Sequence, residues 1–315
     1  MRSAGADRLG SSSHVFQRFI ALEKRGVSLT AFRLYQLAQA CDTTGTWFLG
    51  KFWDREIVGV FFWAVLHDRP VCWACEPVNW PKHLWKEDLP SQSTMSRRLR
   101  TTEVQHLLHL MEQRMIRLQR GGWVMIVDGK PLVVGTHSKD ADAPWGRAGR
   151  GFAKGYKLHA IYGEGPLPLA WDVVAMNVGE PDVAARLIST LGRGGYVLGD
   201  KIFDSNPLHD ICWSVGAQLV AQRKRPGTGL GHRHHSPGRM RCIELLEHEF
   251  GQMLYRCRDD IERQWGWLTN HGGGLAPLPN WVRRAPRVRI WVQAKLLIHA
   301  TYTHLRHPTH ELAVA

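Results

Sequence analysis

Cysteine is scarce. The chain has six in 315 residues, at positions 41, 72, 75, 212, 242 and 257. That is too few and too scattered for a disulfide framework, and it fits a reducing compartment. Cys72 and Cys75 form one CxxC. No second pair stands at zinc-finger spacing, so two buried thiols beside Trp73 is the simpler expectation than zinc or redox chemistry. Long apolar runs are also absent. The longest, around residues 57–66, falls short of the roughly 18 residues a membrane-spanning helix needs. The start, MRSAGADRLGSSSH, lacks the apolar core of a signal peptide. There is no GxGxxG, no Walker lysine loop and no GxSxG, so small-molecule α/β chemistry has no motif to rest on.

Acidic residues are the charge in short supply. Asp and Glu number 28 against 41 Lys and Arg, a formal net charge of +13. Such an excess favours a polyanion, because neutralising phosphates releases condensed counterions. No basic amphipathic helix with a clean apolar face is evident, so a membrane surface is the weaker partner. The length predicts about two domains.

A polar start gives way to apolar residues at helical spacing between 15 and 40, Phe16, Phe19, Ile20, Leu29, Phe32, Leu34 and Leu37 among them. Residues 46–73 are rich in Trp, Phe and Val, and periodicity leaves short strands and buried helix both open. In DLPSQSTMSRRLR (88–100), Pro90 breaks the preceding element and Ser91 can cap the next. The helix then carries Gln92, Ser93, Thr94, Ser96, Arg97 and Arg98, side chains suited to bases and phosphates. With a short helix over 81–87 it would complete a helix-turn-helix near 81–100; a solvated polar helix is the other reading. An amphipathic helix over 103–119 links this region to the second half of the chain. The expected division is a mostly helical DNA-binding region at 1–120, an α/β domain at 121–305 and a tail at 306–315.

Past Gly121–Gly122 strands and helices alternate. Residues 123–128 (WVMIVD) and 196–200 (YVLGD) are short apolar runs ending in an acid, as buried strands do. Strands are also predicted over 156–162, 167–176 and 218–221. Helices are predicted over 181–191, 206–215 and 253–268, and a basic loop over 223–241. If the two acid-tipped strands lie side by side and parallel, Asp128 and Asp200 face one site. Two carboxylates there would repel unless a cation neutralises both; separate turn residues are the plainer alternative. In YRCRDDIERQWGWL, Tyr255, Arg258 and Glu262 recur three and four apart, so they share a helical face. Alone, that is an ordinary Arg–Glu pair.

Together these residues are more specific. Asp128 in VDGK, Asp200 in GDKIFDS and Tyr255-x-x-Arg258-x-x-x-Glu262 resemble the insertion-sequence transposases of the DDE class with a Tyr-Arg-Glu signature. The likeness covers about residues 120–305. It implies an RNase H-like core, a mixed sheet flanked by helices. It also implies two-metal phosphoryl transfer on double-stranded DNA, at terminal inverted repeats and target, with Asp128, Asp200 and Glu262 holding two Mg²⁺ or Mn²⁺ ions. Tyr255 and Arg258 would contact phosphate near the scissile bond. Lys130, Lys157 and Lys201 stand near the strand ends, and Arg97, Arg98, Arg223, Lys224 and Arg225 are further DNA-binding candidates. A homodimer in the synaptic complex and a bacterial cytoplasmic, nucleoid-associated location are implied. Thr269 stands where the family commonly has Lys, so that contact is either missing or supplied by Arg263 or Lys295. Trp265 and Trp267 could stack on a flipped base or pack in the core. The rivals are another RNase H-like nuclease and a DNA-binding derivative that has lost catalysis.

Overall fold

A computed structural model describes residues 27–42, 51–81, 84, 88–119, 121–149, 151–230, 234–270, 274–275 and 277–306. The chain divides into two compact units, one of Met1–Arg114 with Ala294–Ala315 and one of Met115–Gln293.

The first unit is helical where described. It contains α1 (Val27–Cys41), α2 (Asp54–Leu66), α3 (Val71–Ala74), a 3₁₀ turn (Pro77–Asn79), α4 (Gln92–Arg98) and most of α5 (Thr102–Arg117). The ambiguous stretch 46–73 is therefore helix wherever it is described as a regular element. α2 is buried nearly all round, from Ile57 through Leu66, which explains its missing polar face. Cys72 is exposed rather than buried, and Cys75 donates to the Val71 carbonyl at 3.3 Å. Burial, followed by the neighbouring Cys72 and Glu76, pushes the Cys75 thiol up to about 11, the wrong direction for a reactive thiolate. Ser91 caps α4 as expected, accepting from the Thr94 amide at 3.2 Å. Most of the helix expected before it, at 81–87, lies outside the described residues, as does the start of the helix expected from residue 15.

The second unit is built on a mixed sheet. Its elements are β1 (Val124–Val133), β2 (Trp145–Ala148), β3 (Gly151–Tyr162), β4 (Ala170–Ala175), α6 (Glu180–Ser189), β5 (Gly195–Gly199), α7 (Asn206–Ser214) and β6 (Ala217–Ala221). Beyond them lie α8 (Pro237–Glu247), α9 (Glu249–Arg256), a 3₁₀ turn (Cys257–Asp259), α10 (Asp260–Asn270) and α11 (Ala285–Arg306), which from Ala294 on belongs to the first unit. β3 pairs antiparallel with β1, β2 and β4; β1, β5 and β6 run parallel. Met125, Val127, Ile161, Val197 and Leu219 pack with Val183, Ile188 and Leu208 of α6 and α7 in one core. Helices α6 and α7 thus cover one face of the sheet.

Four details differ from the sequence reading. β1 does not end at Asp128 but runs on to Val133, paired with β3. Strand β2 was not foreseen, because the four residues WGRA carry no alternation. The helix expected over 253–268 is interrupted by the 3₁₀ turn at 257–259. The basic loop closes earlier than 241, since Pro237 sits in the first turn of α8, where its missing N–H costs nothing. Among the described residues, no helix is long and apolar enough to cross a membrane.

Candidate active site

Strand alternation decides which face each acid meets. Met125 and Val127 point into the core under α6, so Ile126 and Asp128 point to the opposite face. The parallel register pairs Ile126 with Leu198. Continued two residues, that register would put Asp200 level with Asp128. Pairing of β1 with β5 stops at Ile126, and β5 ends at Gly199. The two acids thus stand where β5 has finished and β1 continues alone with β3. Asp200 begins a 3₁₀ turn, its Oδ1 accepting from the Ile202 amide at 2.8 Å.

α10 lies on the same side. Trp265 Nε1 donates to Asp128 Oδ2 at 2.8 Å, and the indole meets Tyr162 edge-on at 5.4 Å. Tyr162 is the β3 partner of Ile126, which fixes the face. Trp265 is buried and Trp267 exposed, so of the two indoles the first serves the core and the acid together. Burial drives the Asp128 carboxyl up to about 6, partly countered by the Trp265 and Gly129 hydrogen bonds and reinforced by the charges of Glu180 and Glu262. Glu262 is exposed at the start of α10, in electrostatic reach of both Asp128 and Lys130. Asp259 and Asp260 pair with Arg258 and Arg263 on the surface.

The 3₁₀ turn changes the Tyr-Arg-Glu segment. Three residues advancing about 120° rather than about 100° each rotate the following face by roughly 60°. Tyr255, at the end of α9, is half-buried beside Asp200 and Arg258: burial raises its phenol, Arg258 opposes and Asp200 adds to the rise. Arg258 stacks over the Tyr255 ring at 5.9 Å and bonds Asp259 at 3.3 Å. Tyr255 is therefore gathered toward Asp200, with Arg258 against its ring, and Glu262 toward Asp128. Among the described residues, no three His, Cys, Asp or Glu side chains stand close enough to hold a metal ion as they lie.

The basic candidates separate. Lys130 is half-buried over the Trp265 ring at 6.0 Å; burial lowers its ammonium, while Glu262 and Asp128 raise it. Lys201 is exposed, next to Asp200. Lys157 is not a surface lysine: it is buried and paired with Glu180 at 2.6 Å, because its position in β3 faces α6. Arg98 likewise turns inward, donating to the Phe52 carbonyl and pairing with buried Asp54, while Arg97 is exposed. Lys295 is buried against the Val65 carbonyl and Asp68, so it does not stand in for the missing lysine. Thr269 donates to the Trp265 carbonyl. Lys224 and Arg225 are exposed on the loop after β6, and Arg223 donates to the Thr228 carbonyl.

The sequence reading missed what holds that loop. Asp204, four residues after Asp200, is buried. Its carboxylate takes Arg239 Nε and Nη2 at 2.6 and 2.8 Å and the Lys224 amide at 3.2 Å. Asn206 binds both the His234 carbonyl and the Ser236 amide at 3.2 Å. These two side chains tie both ends of the loop beside Asp200. The second acid of GDKIFDS was the one available signal.

No curated protein matches the chain. A piggyBac transposase, solved by cryo-EM as a synaptic complex with hairpin DNA, is similar in structure, with a TM-score of 0.45 and 10% identity over 90% of this chain and 73% of that one. The family model described as "Transposase DDE domain" matches residues 119–277, just over half of the chain, and so the chain belongs to the DDE transposase domain family.

Proposed function

We propose that this transposase cleaves DNA at the ends of an insertion sequence and joins them to a target, with Asp128, Asp200 and Glu262 as its metal-binding carboxylates. The observation that supports the reading is the parallel pairing of β1 with β5, whose register runs toward Asp128 and Asp200, together with the bond from Trp265 of the Glu262 helix to Asp128. The donor set is all carboxylate oxygen, which suits Mg²⁺ or Mn²⁺. A half-buried carboxyl with two acidic neighbours is also a group whose ionisation a cation would favour. Two such ions, when bound, supply an activated oxygen nucleophile and stabilise the leaving oxygen.

The chain's own residues do the rest. Trp265 fixes the Asp128 carboxylate in orientation. Arg258, braced on Tyr255 near Asp200, offers a guanidinium to a DNA phosphate. Lys130 and Lys201 add positive charge at the same strand ends, and Lys224 and Arg225 extend it along the tied loop. Two copies would meet in a synaptic complex with double-stranded DNA. The exposed Arg97 would contact DNA from the first unit.

The test is cleavage of DNA carrying the element's ends by Asp128→Asn, Asp200→Asn and Glu262→Gln. Each swap keeps size and removes an anionic oxygen, and the three act as a unit, so each abolishes cleavage while DNA binding persists. Activity in Glu262→Gln beside two dead aspartate variants would move the third role to Asp259 or Asp260 of the same segment. Full activity in all three would end the assignment.

A further inference from the structure

We propose that the β2–β3 hairpin is a second DNA-contact surface, one that takes unpaired bases of a strand leaving the cleavage site. The proposal rests on the reading that the chain acts on DNA, and adds a surface outside the carboxylate site. The register pairs Trp145 with Lys154 and Arg147 with Phe152. Directly opposed residues share a face, and 145 and 147 differ by two, so all four side chains project from one side. Trp145 is 54% exposed and Phe152 74%, values unusual for large aromatics in a strand pair. They are diagonal neighbours, about 7–8 Å apart.

The hairpin is held firmly. On its other face Gly146 lies so close to the Met176 backbone that a Cβ there would stand 2.3 Å from the carbonyl oxygen. The Met176 amide in turn bonds the Gly155 carbonyl at 3.1 Å. The aromatic face is therefore presented by a fixed scaffold rather than left over from poor packing.

Charge selects the occupant. The aromatic face carries Arg147 and Lys154, the latter donating to the Ser138 carbonyl, and residues 143–163 contain no Asp or Glu; Lys157 is not part of this charge, being buried and paired with Glu180. The nearest acids in sequence are already engaged, Asp140 by Tyr156 and the Arg284 amide, Asp142 by the Arg284 side chain and the Ala285 amide. Exposed aromatics interleaved with basic residues form a stacking platform for unpaired bases along a phosphate backbone. Placement agrees. Phe152 lies eight residues along β3 from Ala160, the partner of Asp128. That is on the order of 25 Å of strand, or about seven or eight nucleotide steps of roughly 3.4 Å. The hairpin lies in the direction in which β1 leaves Asp128, the same end of the sheet as the acids.

The test is equilibrium binding of the full chain to a labelled blunt duplex and to the same duplex with a single-stranded extension. Wild type should prefer the extended DNA. Trp145→Ala with Phe152→Ala should erase that preference, weakening binding to the extended duplex roughly tenfold, with circular dichroism unchanged. Arg147→Ala should weaken both and lower the slope of log K against log salt by about one. Neither measurement depends on cleavage, so a wrong catalytic triad leaves it readable. Wild type with no preference, or a double variant that keeps it, overturns the proposal. So does a double variant that changes oligomeric state while DNA affinity holds, which would mark the face as a protein interface.

Discussion

Two aspartates of the sheet unit, the half-buried Asp128 and the buried Asp204, have opposite surroundings. Asp204 is buried against His209, a bidentate arginine and a backbone amide, and these hold its carboxyl far below the usual range despite its burial. Asp128 has one indole hydrogen bond and two acidic neighbours, and its carboxyl rises to about 6. The Asp204 carboxylate is compensated within the chain; that of Asp128 is not, as the proposed metal role would require. The difference separates the two acids more sharply than burial does.

The comparison can be broken most forcefully at Asp204. Asp204→Ala should cost about 3–5 kcal/mol, because it leaves Arg239 partly buried without its partner. Urea denaturation measures this, and a cost below about 1 kcal/mol would mean the pair is not structural. A smaller effect is expected at Trp265→Phe, which keeps the ring against Tyr162 but removes the donor to Asp128. At neutral pH, where Asp128 is ionised, the loss should be about 1.5–3 kcal/mol. The Asp128 titration, followed by carboxyl NMR, should then move above 6.

The smallest shift has the opposite sign. In the metal-free protein the native state holds the Asp128 proton up to pH about 6, whereas the unfolded chain releases it near pH 4. The native state binds more protons in that window, so this group's contribution to stability falls as pH rises from about 4 to about 6. Asp128→Asn removes the fall and should gain about 1–2 kcal/mol at pH 7. A variant no more stable than wild type at pH 7, with the same slope between pH 4 and 6, would show that Asp128 is relieved by some other group.

Asp128 and Asp200 were legible because β1 and β5 are buried on both faces and read as short apolar runs with an acid at or just past the last core residue. Glu262 was legible only through its spacing from Tyr255 and Arg258. That β1 continues beyond Asp128 was hidden, since Gly129, Lys130 and Pro131 look like a turn until β3 pairs with them. The fates of Lys157, Arg98 and Lys295 were hidden for one reason: a lysine or arginine shows its charge in sequence but not the carboxylate it will meet.

By itself, the sequence determined the basic character of the chain, the apolar runs that become parallel strands, and the acids that follow them, because local pattern and composition govern those properties. Only the tertiary structure decided the rest. It set β1 parallel to β5, joining strands some seventy residues apart that are each followed or tipped by an acid. It brought the Trp265 indole to Asp128 across 137 positions and clamped the basic loop on Asp204. It also turned four unremarkable residues into the exposed edge β2. Each of these depends on contacts distant in sequence, whose partners no local pattern names.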